Sequence, residues 1–148
     1  MKALVQRVKY ARVTINGEET RETGPGLLVL FGCAEDDSLE SCAKLAQKTA
    51  MLRIFDDEEG KLNLSALDLG LSVMVVSQFT LLADTKKGNR PSFTAAGAPD
   101  FSNTMYLRFI EECRALGFQT EHGEFGAHMR VSLINDGPVT IMLDSKQR

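Results

Sequence analysis

Residues 3–15 alternate between apolar and polar positions, are rich in β-branched types, and run into Asn16-Gly17. A period of two turns one face of a strand toward a core. Both residues of an Asn-Gly pair tolerate positive φ, so a hairpin turn follows. Residues 18–23 are the return strand, mostly polar and therefore near an edge. Gly24-Pro25-Gly26 turns the chain again, and the unbroken apolar run 27–31 predicts a strand buried on both faces. The period then changes. Leu39, Cys42, Ala43, Ala46 and Ala50 recur at helical spacing behind Asp37 as N-cap, with Glu40 three residues on as the partner in a capping box.

Ile54-Phe55 leads into Asp56-Asp57-Glu58-Glu59-Gly60, which reads as a solvated turn. It lacks the alternating ligands and closing glutamate of a calcium-binding loop. Residues 73–79 predict a second central strand, running straight into Ser77-Gln78-Phe79-Thr80. Residues 84–100, with Gly88, Pro91, Gly97 and Pro99, predict a long irregular loop, and loops of that length in compact domains are often functional. Asp100 caps a second helix carrying Met105, Tyr106, Phe109, Ile110 and Cys113, and Gly117-Phe118 ends it. Residues 130–134 and 139–143 are short strands joined by a tight turn at Asn135-Asp136-Gly137-Pro138. The expected fold is one α+β domain over residues 1–148. Its sheets, with several antiparallel strands, form a sandwich or barrel-like core, a mixed α/β arrangement with at least two helices packed on it.

Length agrees, since 148 residues suffice for one full core. No apolar run approaches the roughly 20 residues that cross a bilayer, and the segment from Met1 to Arg7 breaks its apolar run too early for a signal peptide. A cytoplasmic protein with no membrane partner is expected. Cys33, Cys42 and Cys113 are odd in number and form no CxxC pair, which argues against a disulfide framework or a zinc ribbon. The net charge of −3 gives no support to a nucleic-acid partner. Locally, Lys86, Lys87 and Arg90 surround Gly88, while Arg7, Lys9 and Arg12 alternate with apolar residues.

Standard catalytic sets are missing. The two histidines, His122 and His128, have no spacing that suggests a metal site or a Ser-His-Asp triad, and GxSxG, a P-loop and GxGxxG are all absent. Two polar segments stand out. Strand alternation places Gln78 and Thr80 on one face and Ser77 and Phe79 on the other, although polar residues are also what a strand leaving the core carries. In Asn135-Asp136-Gly137-Pro138-Val139-Thr140 the proline removes a ladder donor. Only about 5–6% of X-Pro bonds are cis in folded proteins, so a plain trans turn is the base-rate expectation.

Several segments together resemble the D-aminoacyl-tRNA deacylase family over nearly the whole chain. These are Ala3-Leu4-Val5-Gln6-Arg7-Val8, Gly26-Leu27-Leu28-Val29-Leu30, Arg53-Ile54-Phe55, Val75-Val76-Ser77-Gln78-Phe79-Thr80-Leu81, Arg90-Pro91-Ser92-Phe93, Val131-Ser132-Leu133 and Asn135-Asp136-Gly137-Pro138-Val139-Thr140. The resemblance implies hydrolysis of the ester between a D-amino acid and the 3′ end of tRNA, with no metal or other cofactor. It further implies a homodimer with interfacial sites and a cis Gly137-Pro138 whose carbonyls enter the partner's pocket and exclude L side chains. Ser77, Gln78, Phe79 and Thr80 are then the catalytic segment. Its amides hold the oxyanion, the 2′-hydroxyl of the terminal adenosine orients the water, and Thr80 is not a nucleophile. Phe125 and Met129 resemble pocket-lining positions. Arg7 braces the Gly-Pro turn, with Asn135, Val139 and Thr140 around it, and Lys86, Lys87 and Arg90 are candidate tRNA contacts. Glycine mischarged on alanine tRNA is a second expected substrate. A related branch has a trans Gly-Pro. A binding module without catalysis and a protein that merely dimerises through its strand edges are the non-enzyme alternatives.

Overall fold

The computed structural model describes residues 1–147. Its elements are β1 (Lys2–Ile15), β2 (Glu19–Thr23), β3 (Gly26–Gly32), α1 (Leu39–Met51), β4 (Phe55–Asp56), β5 (Leu62–Leu64), β6 (Ser72–Ser77), a 3₁₀ turn (Phe79–Leu82), α2 (Pro99–Ala115), β7 (Gln119–His122) and β8 (Met129–Asp144). In the main sheet β8 lies along one side of β1, and β2 and β3 share the other. From β3 the sheet continues to β6 and β7. The β1 pairings are antiparallel, but β3–β6 and β6–β7 are parallel. The sheet is therefore mixed, in keeping with the expected arrangement. The reason is connection length: α1 and α2 are the crossovers that parallel neighbours require.

One face of the sheet carries both helices. Val5, Val29, Phe31, Val73 and Val75 meet Tyr106, Phe109 and Ile110 there, all essentially inaccessible. Phe31 and Phe109 stack with ring centroids 4.8 Å apart, and burying a side chain of this size stabilises by roughly 1.5–3 kcal/mol. A second cluster occupies the other face, where Val8, Ala11, Val13 and Ile15 meet Leu28, Met74 and Val76, with Met129 and Leu133 packed against them. The sheet curls to bury both faces, and so becomes nearly barrel-shaped. No helix among the described residues is long and apolar enough to cross a membrane.

Four local expectations are corrected. Ser38, not Asp37, caps α1 by accepting from the Ser41 amide, while Asp37 takes the Ala34 amide at 2.7 Å and the Met1 amine at 2.6 Å. A nearby amide and an amine from the far side of the fold together outcompete the cap. α2 starts at Pro99 with Ala98 in the cap position, so Asp100 lies in its first turn instead. β6 ends at Ser77, and Phe79 and Thr80 belong to the 3₁₀ turn rather than to a strand. Most consequentially, the strands at 130–134 and 139–143 are halves of one strand, β8, and both pair with β1. β1 advances from Gln6 to Val8 while β8 spends residues 135–140. The predicted hairpin turn is thus a bulge that returns the chain to its original direction. β7, with the sequence Gln-Thr-Glu-His, has no apolar alternation and was not singled out by pattern.

Candidate active site

The first candidate region is built where β6 outruns its neighbour. The Gln78 amide donates to the Phe31 carbonyl at 2.7 Å, the last tie to β3. The chain then turns, with Leu81 N–H donating to Gln78 O at 3.2 Å and Ala83 N–H to Thr80 O at 3.1 Å. The first amides of a helical turn have no acceptor within it. Those of Phe79 and Thr80 therefore have no backbone acceptor within the turn. Gly32 admits this geometry, since a Cβ there would lie 2.8 Å from Gln78 O. The Gln78 side-chain amide donates to Thr80 Oγ1, which occupies the threonine hydroxyl.

Two clefts flank this strand end. The larger, about 580 Å³, is mainly apolar and includes Ser77, Phe79, Phe93, Ser102 and Phe125 in its walls. Phe79 is 54% exposed at its rim, and its ring stands edge-on to Phe93 at 5.0 Å. The smaller, about 280 Å³, is bounded by Gln78, Phe79, His128, Met129 and Val131. Ser77, Phe79 and Gly126 are shared by both. The structure thus brings Ser77, Gln78, Phe79, Phe125 and Met129 together, whereas Thr80 lines neither cleft. Phe93, Ser102 and His128 are wall residues that sequence pattern did not assign. The only advance signals were the length of the 84–100 loop and the Arg90-Pro91-Ser92-Phe93 motif.

The second region is the β8 bulge. Gly137–Pro138 is cis, as the resemblance implied and contrary to the base-rate expectation. Gly137 has φ of 151°, and a Cβ on it would sit 2.7 Å from Val139 N and 3.3 Å from Arg7 Nη2. Arg7, with only 11% of its side chain exposed, donates from Nε to Asp136 O at 2.7 Å and from Nη1 to Ile54 O at 2.8 Å. Its guanidinium carbon lies 5.9 Å from the Phe55 ring centre, and the Asp56 and Asp136 carboxylates approach within 3.9 and 3.8 Å. Asn135 closes the bulge from within. Its Oδ1 accepts the Val139 amide at 2.8 Å, and its Nδ2 donates to Val139 O at 3.2 Å and Thr140 Oγ1 at 2.9 Å. Val139 itself packs against the main core.

Within one chain the two regions are far apart. Gly137 lies near the row of Arg7, which continues through Leu27 to Val73, whereas Ser77 pairs with Phe31. Four residues along the strands are about 13 Å and three ladder spacings about 14 Å, a separation on the order of 20 Å over the sheet. That exceeds the span of a single amino acid.

Lys86, Lys87 and Arg90 sit on an exposed hairpin-like excursion, closed by Asp84 and Ser92 exchanging two backbone bonds at 2.8 Å. The chain passes directly from it to Phe93 in the cleft wall. His122 is drawn away from both clefts, its Nδ1 2.6 Å from Gly123 O. Among the described residues no group of three or more His, Cys, Asp or Glu is placed to hold a metal. Cys33, Cys42 and Cys113 are buried, which pushes their thiols up to about 11, 12 and 12.

The family model of D-Tyr-tRNA(Tyr) deacylase matches residues 4–144. D-aminoacyl-tRNA deacylases of Paracoccus denitrificans and Thermosipho africanus are 54% and 50% identical, over 148 and 147 residues. The alignments cover 100% and 99% of this chain and 99% of each relative. Among solved structures, the c-Myc DNA Unwinding Element Binding Protein superposes with a TM-score of 0.92 at 39% identity, covering 99% of this chain and 100% of that one. A probable eukaryotic D-amino acid tRNA deacylase, at 18% identity, TM-score 0.83 and coverage of 96% and 97%, shares the fold. With the family model spanning nearly every element that frames both regions, the chain belongs to the D-Tyr-tRNA(Tyr) deacylase family.

Proposed function

We propose that this D-aminoacyl-tRNA deacylase works as a cytoplasmic homodimer in which the strand end at Ser77–Thr80 of one subunit is completed by the Gly137–Pro138 bulge of the other. The observation that carries this reading is the separation of the two regions within one chain. A bulge that lies on the order of 20 Å from the catalytic turn can screen a substrate only in another copy's site. Among the described residues β8 pairs with β1 alone, and it carries Val131, Ile134 and Met142 exposed at 37%, 52% and 44%. An open apolar edge of this kind favours association.

The amides of Phe79 and Thr80 accept the charge that develops on the ester carbonyl when water attacks. One such donor is typically worth 10²–10³ in rate, a general magnitude from other enzymes. Water forms the new C–O bond, and the tRNA ribose oxygen leaves with a proton. The neighbouring 2′-hydroxyl of the terminal adenosine orients the water. The apolar cleft, walled by Phe79, Phe93 and Phe125, suits a planar base, because aromatic rings stack on or stand edge-to-face against it. Lys86, Lys87 and Arg90 lie beside the cleft as contacts for the tRNA backbone.

Selection works by exclusion. Apolar recognition discriminates by only about 1–3 kcal/mol per methylene, whereas a fixed backbone wall closes the space outright. Arg7 and Asn135 hold that wall, which reads no side chain and so accepts many D-amino acids. Glycine carries no side chain to exclude, so glycine mischarged on alanine tRNA is cleaved as well.

Hydrolysis of D-tyrosyl- and L-tyrosyl-tRNA, measured side by side in excess chelator, tests the reading. Rapid loss of the D ester alone is expected. Loss of both removes the filter, and binding without hydrolysis turns the protein into a binding module. A mixed dimer tests the interfacial arrangement. Subunits carrying Phe79→Pro combined with subunits carrying Gly137→Ala should regain one selective site, and failure to regain it while dimerising normally would defeat the shared-site geometry.

A further inference from the structure

Behind the larger cleft, β6 and the chain leaving β7 part company. Val75 pairs with His122, and the Gly123 amide donates to Val75 O at 3.0 Å, the last backbone tie between the two strands. Beyond this fork one branch runs to Ser77 and the other to Phe125, and both residues line the cleft. Tyr106 of α2 reaches the fork from beneath. Its hydroxyl lies 2.9 Å from Val75 O and 3.2 Å from Gly123 O, so its one proton is shared between the two branches. The residue is 1% exposed, and its ring centre is 6.1 Å from that of Phe125. On the other side the Met129 side chain packs against Gly123, where a Cβ would overlap its sulfur. The Arg21 guanidinium donates to His122 O at 2.9 Å, and His122 Nδ1 lies 2.6 Å from Gly123 O.

We infer that Tyr106 is a positioning residue for substrate binding: its hydroxyl latches the fork and thereby sets the spacing between Ser77 and Phe125 across the cleft. The inference rests on the reading of that cleft as the seat of the tRNA's terminal nucleoside. It assigns the latch to binding rather than to bond breaking. The Phe79 and Thr80 amides are oriented by the Gln78–Phe31 bond and the 3₁₀ turn, neither of which involves the Tyr106 hydroxyl.

The Tyr106→Phe variant keeps the ring and removes only the latch. Val75 O retains the Gly123 amide and Gly123 O retains the Arg21 guanidinium at 3.4 Å, so neither carbonyl is left alone. For one hydrogen bond of ordinary strength, KM for D-tyrosyl-tRNA should rise about fivefold with kcat within about twofold. Amide exchange in residues 123–128 should quicken by a similar factor of about five while α1 and β1 are unchanged. A fall in thermal stability with KM and exchange both unaltered would reduce Tyr106 to a core residue and overturn the inference. So would a raised KM without faster exchange at 123–128. Gly123→Ala, which presses the same segment from the Met129 side, provides a second variant and should shift KM in the same direction. An inactive wild-type protein would count against the enzymatic reading itself, and the exchange measurement would still decide whether the hydroxyl holds the fork.

Discussion

The strand end at Ser77–Thr80 and the bulge at Asn135–Thr140 are both interruptions of the sheet, but they are held in different ways. The first is held by backbone. Gln78 N–H bonds to Phe31 O, and the turn closes through its own carbonyls. Side chains there mainly make walls. The second is held by side chains. Arg7 grips Asp136 O and Ile54 O, and Asn135 replaces the missing ladder bonds with its own amide. A region that donates backbone N–H groups needs those groups unpaired yet rigid, which a short helical turn supplies. A bulge that leaves its ladder needs ties from outside it, and a guanidinium with several donors in one plane supplies them by joining Asp136 O to Ile54 O.

This contrast predicts where substitutions act. Replacing Phe79 by proline removes an amide at the first position of the turn, where proline fits. Compared with Phe79→Ala, which loses the same ring, kcat in single-turnover hydrolysis should fall about 10²–10³-fold. Equal rates for the two variants would break the assignment of the amide. Arg7→Met leaves two carbonyls without their donor, so stability should drop by about 2–4 kcal/mol in urea titration. Hydrolysis of L-tyrosyl-tRNA should rise in the same variant, because the wall is no longer fixed. Asn135→Asp keeps the acceptor for Val139 N–H but loses the donor to Val139 O and Thr140. A smaller loss of about 1–2 kcal/mol is expected, with selectivity partly kept.

Smaller effects sharpen the comparison from the other side. Thr80→Val removes only a hydroxyl already engaged by Gln78, and hydrolysis should stay within about threefold of wild type, since the amide remains. A covalent aminoacyl-enzyme trapped on Thr80 would refute the backbone model. The thiols should matter least at neutral pH. Burial raises Cys33, Cys42 and Cys113 from 9.0 to about 11, 12 and 12, so the folded state favours their protonated forms. Their contribution is therefore full below pH 9 and is lost as pH climbs toward the folded values. Calorimetry should show unfolding temperature falling between pH 9 and 11, with iodoacetamide labelling negligible at pH 7 in the folded protein.

Much of the fold was legible because local patterns and burial agree. The alternation of residues 3–15, the Asn16-Gly17 turn and the unbroken apolar runs became β1, its hairpin to β2, and the central strands β3 and β6. The helical spacing before Ala50 and between Met105 and Cys113 became the inner faces of α1 and α2. Asp37 misled because a good cap can also be a good acceptor for a distant amine, and the Met1 amine lies within its reach only after folding. β7 was missed because its four polar residues stay exposed or half-buried, and its place in the sheet comes from pairing with β6. The turn at Asn135-Asp136-Gly137-Pro138 looked like a hairpin because the bonds that carry it straight on come from Asn135 and Arg7, the latter distant in sequence.

The chain's own residues thus determined the membership of the family, the apolar faces, and the two polar segments set in strands. Periodicity and motif are local properties that survive without knowledge of contacts. Tertiary structure alone decided which strands run parallel and how the sheet curls, and that Phe93, Phe125 and His128 converge on the end of β6. It also set the Gly-Pro bulge and that strand end three strands and several residues apart on the sheet. These depend on which strand lies beside which, and register is a property of pairs of segments that no single segment contains.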